Sequence, residues 1–302
     1  MRGCGVSRID APVMPLALPS PPSPGPGQVL VAVEAAGVGP WEDLVRNGVW
    51  DVGLRPPAAL GVEGAGRVVA VGPQVTGLAV GDPVVAHEAP FPGGSGFWAE
   101  QVLLAAAHVA LRPAVLDPVA AAALPIGGLT ARQALDSLAL KAGDRLLITG
   151  GAGGTGVLVV QLAVRAGLRV TTTASPTSAA RLQGFGAEAV LNYHDPSWPE
   201  QVGDPVDAAI VAASGTGDFA LRTVRDGGRL CALTSGAPEP ERGITTADLY
   251  VRPDGAALAR LAADLADGAL AVDPEVLPRN AAADALDRVR TGSTGGRKLV
   301  LR

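Results

Sequence analysis

Apolar and polar positions alternate through residues 28–36, QVLVAVEAA, and again through 66–71, GRVVAV, the period of strands with one buried face. Glycines at 61, 64, 66, 72, 77 and 81 punctuate this part closely. That spacing predicts short antiparallel strands curled into a barrel or sandwich. After Asp117 the pattern changes. Residues 118–140 carry Ala and Leu at helical spacing around a Pro-Ile-Gly-Gly interruption, which predicts helix broken at 125–128. From Arg145 onward short apolar runs (RLLIT, LRVTTTA, AEAVLNY, DAAIVAA, GRLCALT) alternate with helix-length segments. This is the grammar of βαβ units and of a parallel sheet covered on both faces. An amphipathic helix is predicted over 254–268, and the closing RKLVLR reads as an edge strand.

Composition narrows the classes. With 302 residues, 48% hydrophobic and 18% charged, the chain is expected to fold compactly, as two domains. The net charge is −5, there is no basic block and aromatics are few, so nothing offers nucleic acid an electrostatic footprint or a stacking platform. No apolar run approaches the ~18 residues of a membrane span. The first apolar stretch is broken by Pro12 and Pro15, unlike a signal peptide, so a soluble, cytoplasmic protein is expected. Cys4 and Cys231 are too few for a disulfide framework or a Cys-rich zinc site.

The candidate chemistry lies in LITGGAGGTGVLVV, residues 147–160. Gly151, Gly153 and Gly156 fit the dinucleotide spacing G-x-G-x-x-G, after an apolar strand and at the start of an apolar helix. One glycine allows the tight turn, one lets backbone N–H groups approach a pyrophosphate and one lets the helix pack on the sheet. The helix N-terminus adds about half a positive charge toward the phosphates. Ala152, Gly154 and Thr155 complete the expected cofactor loop. Folds that prefer NAD place an acid ~20 residues further on, to hold the ribose 2′-OH. Here that region reads TTTASP. Hydroxyls of Thr173 and Ser175 can donate to a 2′-phosphate that a carboxylate would repel, which favours NADPH; Arg181 is either a further contact to that phosphate or an exposed helix arginine with no ligand.

With these pieces the chain resembles the zinc-independent medium-chain dehydrogenases, in particular the quinone oxidoreductase branch. The likeness runs over nearly the whole length. It rests on PGPGQVLVAVEAAGV (24–38), LGVEGAGRVVAVG (60–72), LKAGDRLLITGGAGGTG (140–156), GFGAEAVLNY (184–193) and GGRKLVL (295–301). It implies an α/β fold: a Rossmann doubly wound parallel sheet, residues 119–254, inserted in a GroES-like β-barrel-type catalytic domain, residues 1–118 and 255–302. Zinc-dependent relatives carry a catalytic Cys where this chain has Gly39 and a His where it has Val62, so no metal is expected. Quinone-reductase relatives usually have Asn where Gly39 stands and an acid matching Glu42. The resemblance makes Trp50 a pocket wall near the nicotinamide, although a core role suits a tryptophan equally. Thr130 matches a threonine on the nicotinamide side, with a helix cap as its other reading. Tyr193 matches a tyrosine near the 2′-phosphate or adenine, while Ala179 stands where relatives carry a lysine. His87, at the end of a strand that lines the cleft in relatives, is either the candidate proton donor or, as a lone His more often is, a partly buried, hydrogen-bonded side chain. His108 and His194 read as surface loop residues, and Glu63 as a structural hydrogen-bond partner. Relatives also dimerise through the edge strand of the Rossmann sheet, for which residues 229–234, RLCALT, are the candidate.

The expected activity is metal-free hydride transfer from NADPH to a quinone or similar conjugated carbonyl. Such an acceptor gives a delocalised anion that solvent can protonate, so no strong acid is required. The other readings are an enone or enoyl reductase of a biosynthetic pathway, or an NADPH-binding protein with a redox-neutral or regulatory role.

Overall fold

Strand-forming sequence begins at once. β1 (Arg2–Val6) and β2 (Met14–Ala17) pair antiparallel, and β3 (Gln28–Val38) follows. β3 buries alternate residues as far as Glu34, then buries all of Ala35–Val38. A short helix, α1 (Trp41–Arg46), precedes β4 (Ala58–Ala59), β5 (Glu63–Val71), β6 (Pro83–His87), β7 (Gln101–Ala105) and β8 (Val109–Leu111). Two helices come next, α2 (Pro118–Ala122) and α3 (Pro125–Leu138). The predicted helix break is therefore displaced. Pro125 opens α3, where its missing N–H costs nothing, and Gly127 and Gly128 lie inside the helix.

The alternating second half forms β9 (Arg145–Thr149), α4 (Gly156–Arg165), β10 (Arg169–Ala174), α5 (Pro176–Gly184), β11 (Ala189–Asn192), α6 (Trp198–Gln201), β12 (Val206–Val211), α7 (Gly217–Thr223), β13 (Val224–Ala232) and β14 (Thr245–Asp248). These strands make a wholly parallel sheet in the order β11-β10-β9-β12-β13-β14. The order reverses at β9, so a crevice opens at the carboxyl ends of β9 and β12, where doubly wound sheets bind nucleotides. β9 is buried along four of its five residues, as its unbroken apolar run requires. Gly127 lets α3 lie close on α4: a Cβ there would stand 3.0 Å from Leu158 Cδ1.

The chain returns through α8 (Gly255–Ala266), β15 (Pro274–Leu277), α9 (Ala282–Arg290) and β16 (Lys298–Leu301). The computed structural model describes all of Met1–Arg302 and divides it into two units, residues 1–126 with 252–302 and residues 127–251. In the first unit the main sheet runs β15-β16-β3-β5-β6-β8. Two strands share one edge of β3: β7 pairs with Gln28–Ala32, and β16 with Ala36–Val38. RKLVLR is thus no edge strand, since β16 lies between β15 and β3. The proposed dimer strand is corrected in the same way. β13 is covered by β14, which reads TTAD and lacks the apolar run that marks a strand in sequence.

Candidate functional site

β9 ends at Thr149 and the chain turns through the glycines into α4. Gly150 takes φ +73°, which a side chain would strain. A Cβ at Gly151 would stand 2.1 Å from Thr172 Oγ1, and one at Gly156 2.1 Å from the Gly150 carbonyl oxygen. Those two glycines are required by the turn itself. Gly154, in contrast, has no atom within 4 Å of a Cβ position, and Gly153 only the Gly150 oxygen at 3.5 Å. The loop is therefore bare where a pyrophosphate would approach the start of α4, although Val157 and Leu158 N–H already bond the Gly153 and Thr155 carbonyls, each at 3.0 Å. Thr155 makes no side-chain cap, and Ala152 accepts a hydrogen bond at 3.0 Å from Arg181 Nη2.

Thr173 serves this turn rather than a ligand. It is buried, its hydroxyl accepts from Gly150 N–H at 2.9 Å, and its carbonyl accepts from Gly151 N–H at 3.0 Å. Its expected contact with a 2′-phosphate is thereby corrected. Ser175 caps α5 by position without a side-chain cap bond, and its hydroxyl meets Thr177 Oγ1 at 2.9 Å and Ser178 Oγ at 3.3 Å. Three hydroxyls thus gather at the start of a nine-residue helix, with no carboxylate among them. Tyr193 follows β11, whose Asn192 is in register with Ala174, and its N–H bonds the Ala174 carbonyl at 3.4 Å, so its backbone lies beside the end of β10 while its ring is half exposed. Thr130 is buried in the second turn of α3, which excludes a helix cap.

The first unit holds a cluster that sequence reading only partly named. Glu42 is fully buried on α1; its two oxygens accept from Gly39 N–H at 2.7 Å and Val62 N–H at 3.3 Å. Glu63, also fully buried, accepts from Ile126 N–H at 2.8 Å and pairs with Lys298 of β16. The Lys298 ammonium in turn lies 4.4 Å from the Trp41 ring centroid. Burial pushes the Glu42 carboxyl up to about 8, against the opposing pull of Lys298.

A group whose folded pKa is raised stabilises below its unfolded value, near 4.5, and loses that contribution as pH rises toward 8. His108, raised by its bond to Glu88, acts in the same sense above 6.5. His87, lowered by burial, contributes only below 6.5. Between pH 6.5 and 8 stability is therefore expected to fall by about 2 kcal/mol. Urea unfolding should show that fall much reduced in Glu42→Gln, and an unchanged slope would refute it.

His87 is fully buried at the end of β6. Its Nδ1 lies 2.9 Å from the Val62 carbonyl, and its Nε2 has no partner. The carbonyl fixes the proton on Nδ1 and leaves Nε2 an acceptor. Burial also holds the imidazole below its ordinary pKa, so His87 is neutral at pH 7 and unsuited to the proton-donor role expected of it. The half-buried Trp50 ring is 6.4 Å from the His87 ring, tilted by 47°. His108 is not a surface residue: it bonds, at 2.7 Å, the buried Glu88, which also accepts from Ala105 N–H. His194 is exposed, its ring 4.2 Å from that of Tyr193 and tilted by 43°.

Residues 25–114 match the alcohol dehydrogenase GroES-like domain family, and residues 185–301 the family described as zinc-binding dehydrogenase. A 2-methylene-furan-3-one reductase of Solanum lycopersicum is 34% identical over 220 residues, 70% of this chain but 56% of that protein. The chain thus spans little more than half of that relative. An NADPH-dependent alkenal/one oxidoreductase of Arabidopsis thaliana is 32% identical over 285 residues, 90% of this chain and 72% of its own length. The solved quinone oxidoreductase of Coxiella burnetii superposes with a TM-score of 0.91 at 28% identity, over 100% of this chain and 98% of that one. The chain belongs to the zinc-independent medium-chain dehydrogenase/reductases.

Within that family of NAD(P)-dependent oxidoreductases, the structure aligns with the quinone oxidoreductase branch. No three His, Cys, Asp or Glu side chains come together as a metal site. Gly39 and Val62, where zinc-dependent relatives carry ligands, instead donate their N–H groups to Glu42. The packing also shows why Gly39 replaces the usual Asn. A Cβ there would stand 2.2 Å from the Trp41 ring, so the indole occupies the space a side chain at 39 would need. No helix is long and apolar enough to cross a membrane.

Proposed function

We propose that this reductase binds NADPH and reduces a conjugated carbonyl, an enone or enal in the first place and a quinone by the same chemistry. The observation that carries the cofactor is the bare loop at Gly153 and Gly154 leading to the hydroxyls of Ser175, Thr177 and Ser178. The loop N–H groups and the α4 terminus would hold the pyrophosphate, and the three hydroxyls with the α5 terminus a 2′-phosphate. Arg181, which bonds the Ala152 carbonyl, stands between the two anchoring points. A bound nicotinamide supplies hydride to the electron-poor carbon of the acceptor.

For the acceptor, the relatives' names favour enones and enals. The chain's own residues agree with a substrate that makes little demand for acid. His87 is neutral and offers an acceptor, and Glu42 and Glu63 are both buried behind backbone N–H groups. His87 presents only an acceptor there, and the proton that burial keeps on Glu42 is enclosed by the Gly39 and Val62 N–H groups. An enolate or phenolate can wait for a proton from water, whereas the alkoxide of a simple ketone cannot. We assign to Trp50 an apolar wall that orients a planar acceptor, and to Thr130 a contact on the nicotinamide side.

Loss of NADPH absorbance with a panel of enones, enals, quinones and simple ketones tests this. Turnover is expected for the first three and not for the last. Tight NADPH binding with no turnover across the panel would leave only a redox-neutral or regulatory role. Ser175→Asp should lower kcat/KM for NADPH about a hundredfold and leave NADH nearly unaffected, because a carboxylate there repels the 2′-phosphate. An unchanged NADPH/NADH ratio would move the phosphate site elsewhere.

A further inference from the structure

Away from the residues above, the first unit contains a cavity of about 640 Å³, within the size range of small-molecule sites. Pro15, Leu16 and Ala17 of β2 give it an apolar lining, and Arg2, Glu100, Arg279, Asn280 and Arg302 a polar one. Arg279 is the unusual member. Its Nε is buried without a partner, and Nη2 reaches only the Val33 carbonyl, at 3.2 Å. The nearby carboxylate is committed to another residue: Glu100 accepts Arg2 Nε at 2.8 Å on one oxygen and Arg2 N–H at 2.9 Å on the other. Partial burial depresses the Arg279 guanidinium below its ordinary pKa, against the opposing pull of Glu100. Removing a charge from water without pairing it is costly, so a site of this kind favours a negatively charged guest.

We propose that this cavity binds an organic carboxylate, its charged group against Arg279 and its apolar body along Pro15, Leu16 and Ala17. The planar guanidinium suits a carboxylate through paired N–H donors. The site is separate from the dinucleotide loop, and the proposal is independent of which acceptor the enzyme reduces.

Titration calorimetry with benzoate, benzamide and inorganic phosphate tests it, with NADPH present throughout so that anions do not report on the glycine loop. Benzoate is expected to bind saturably. Benzamide, its neutral counterpart, and phosphate, which lacks an apolar body, should each bind at least about tenfold more weakly. Arg279→Gln should weaken benzoate by about tenfold or more. Should that variant fold poorly, Leu16→Glu on the rim strand sets a like charge in the cavity and should do the same. Benzamide or phosphate binding as tightly as benzoate, or benzoate binding unchanged in the folded variants, overturns the proposal.

Discussion

Gly156→Ala is expected to abolish useful dinucleotide binding, lowering affinity by about a hundredfold or more and destabilising the second unit by ~2 kcal/mol or more. The added Cβ would meet the Gly150 carbonyl oxygen at 2.1 Å, with Gly150 C and Gly151 Cα at 3.0 Å. All three are backbone atoms. No side chain can turn away, so α4 must lift from the turn and carry its N–H groups out of line. Gly154→Ala makes the decisive comparison. Nothing lies within 4 Å of its Cβ position, and its φ is not in the left-handed region, so the free protein should keep its stability. NADPH affinity should nonetheless fall, because the methyl group stands where the pyrophosphate would approach. Fluorescence titration with NADPH and urea unfolding of both variants separate the effects. If Gly154→Ala bound NADPH as wild type, the phosphate path over that glycine would be wrong.

Lys298→Met should cost about 3–5 kcal/mol, the range for breaking a buried ion pair on one side only. Glu63 is fully buried and Lys298 nearly so, and the ammonium is also the attractive charge acting on Glu42. Without it Glu63 is left buried without its counter-ion, and Trp41 loses the cation over its ring. Acidification should return part of the loss, since protonation removes the unpaired charge. The double variant Lys298→Met/Glu63→Gln should be less damaged than the single one, because no orphaned carboxylate remains at 63. Urea unfolding at pH 5.5 and pH 8 checks both statements. A single variant as stable as wild type at pH 8 would show that the pair contributes nothing.

The parts of this molecule that are local in sequence were legible in it. The glycine loop could be read because strand, turn and helix occupy one short run, and each glycine has a stated steric duty. The parallel sheet followed from apolar runs alternating with helical segments. What depends on packing across the chain was not legible. Thr173 and Ser175 look equivalent as hydroxyls, yet one is turned inward to hold Gly150 and the other stays at the helix start. Strand order was hidden as well: β13 and β16 read as edges because an apolar run does not reveal its neighbours, and β14 is too polar to announce itself. His108 looked like a loop residue because Glu88, its partner, lies 20 positions away. Glu63 gave no hint of Lys298, 235 residues on. The exchange of Asn for Gly39 read as a loss, whereas in the fold it makes room for Trp41, two residues later.

The sharing of β3 between β7 and β16 has a bearing on the order of assembly. Residues 127–251 are complete in sequence before Lys298 is reached, and their strands pair only with one another. That unit can therefore form early in synthesis, from contacts of modest sequence separation. The first unit cannot finish then. The strand that fills the far half of β3, and the cation that neutralises Glu63, are both carried by residues 298–301. Until these arrive, an apolar strand edge at Ala36–Val38 and a carboxylate without its counter-ion remain open together. Strand β3, made long before residues 298–301, is thus among the last to be sealed, and the interval between is when the nascent chain is most exposed to mispairing.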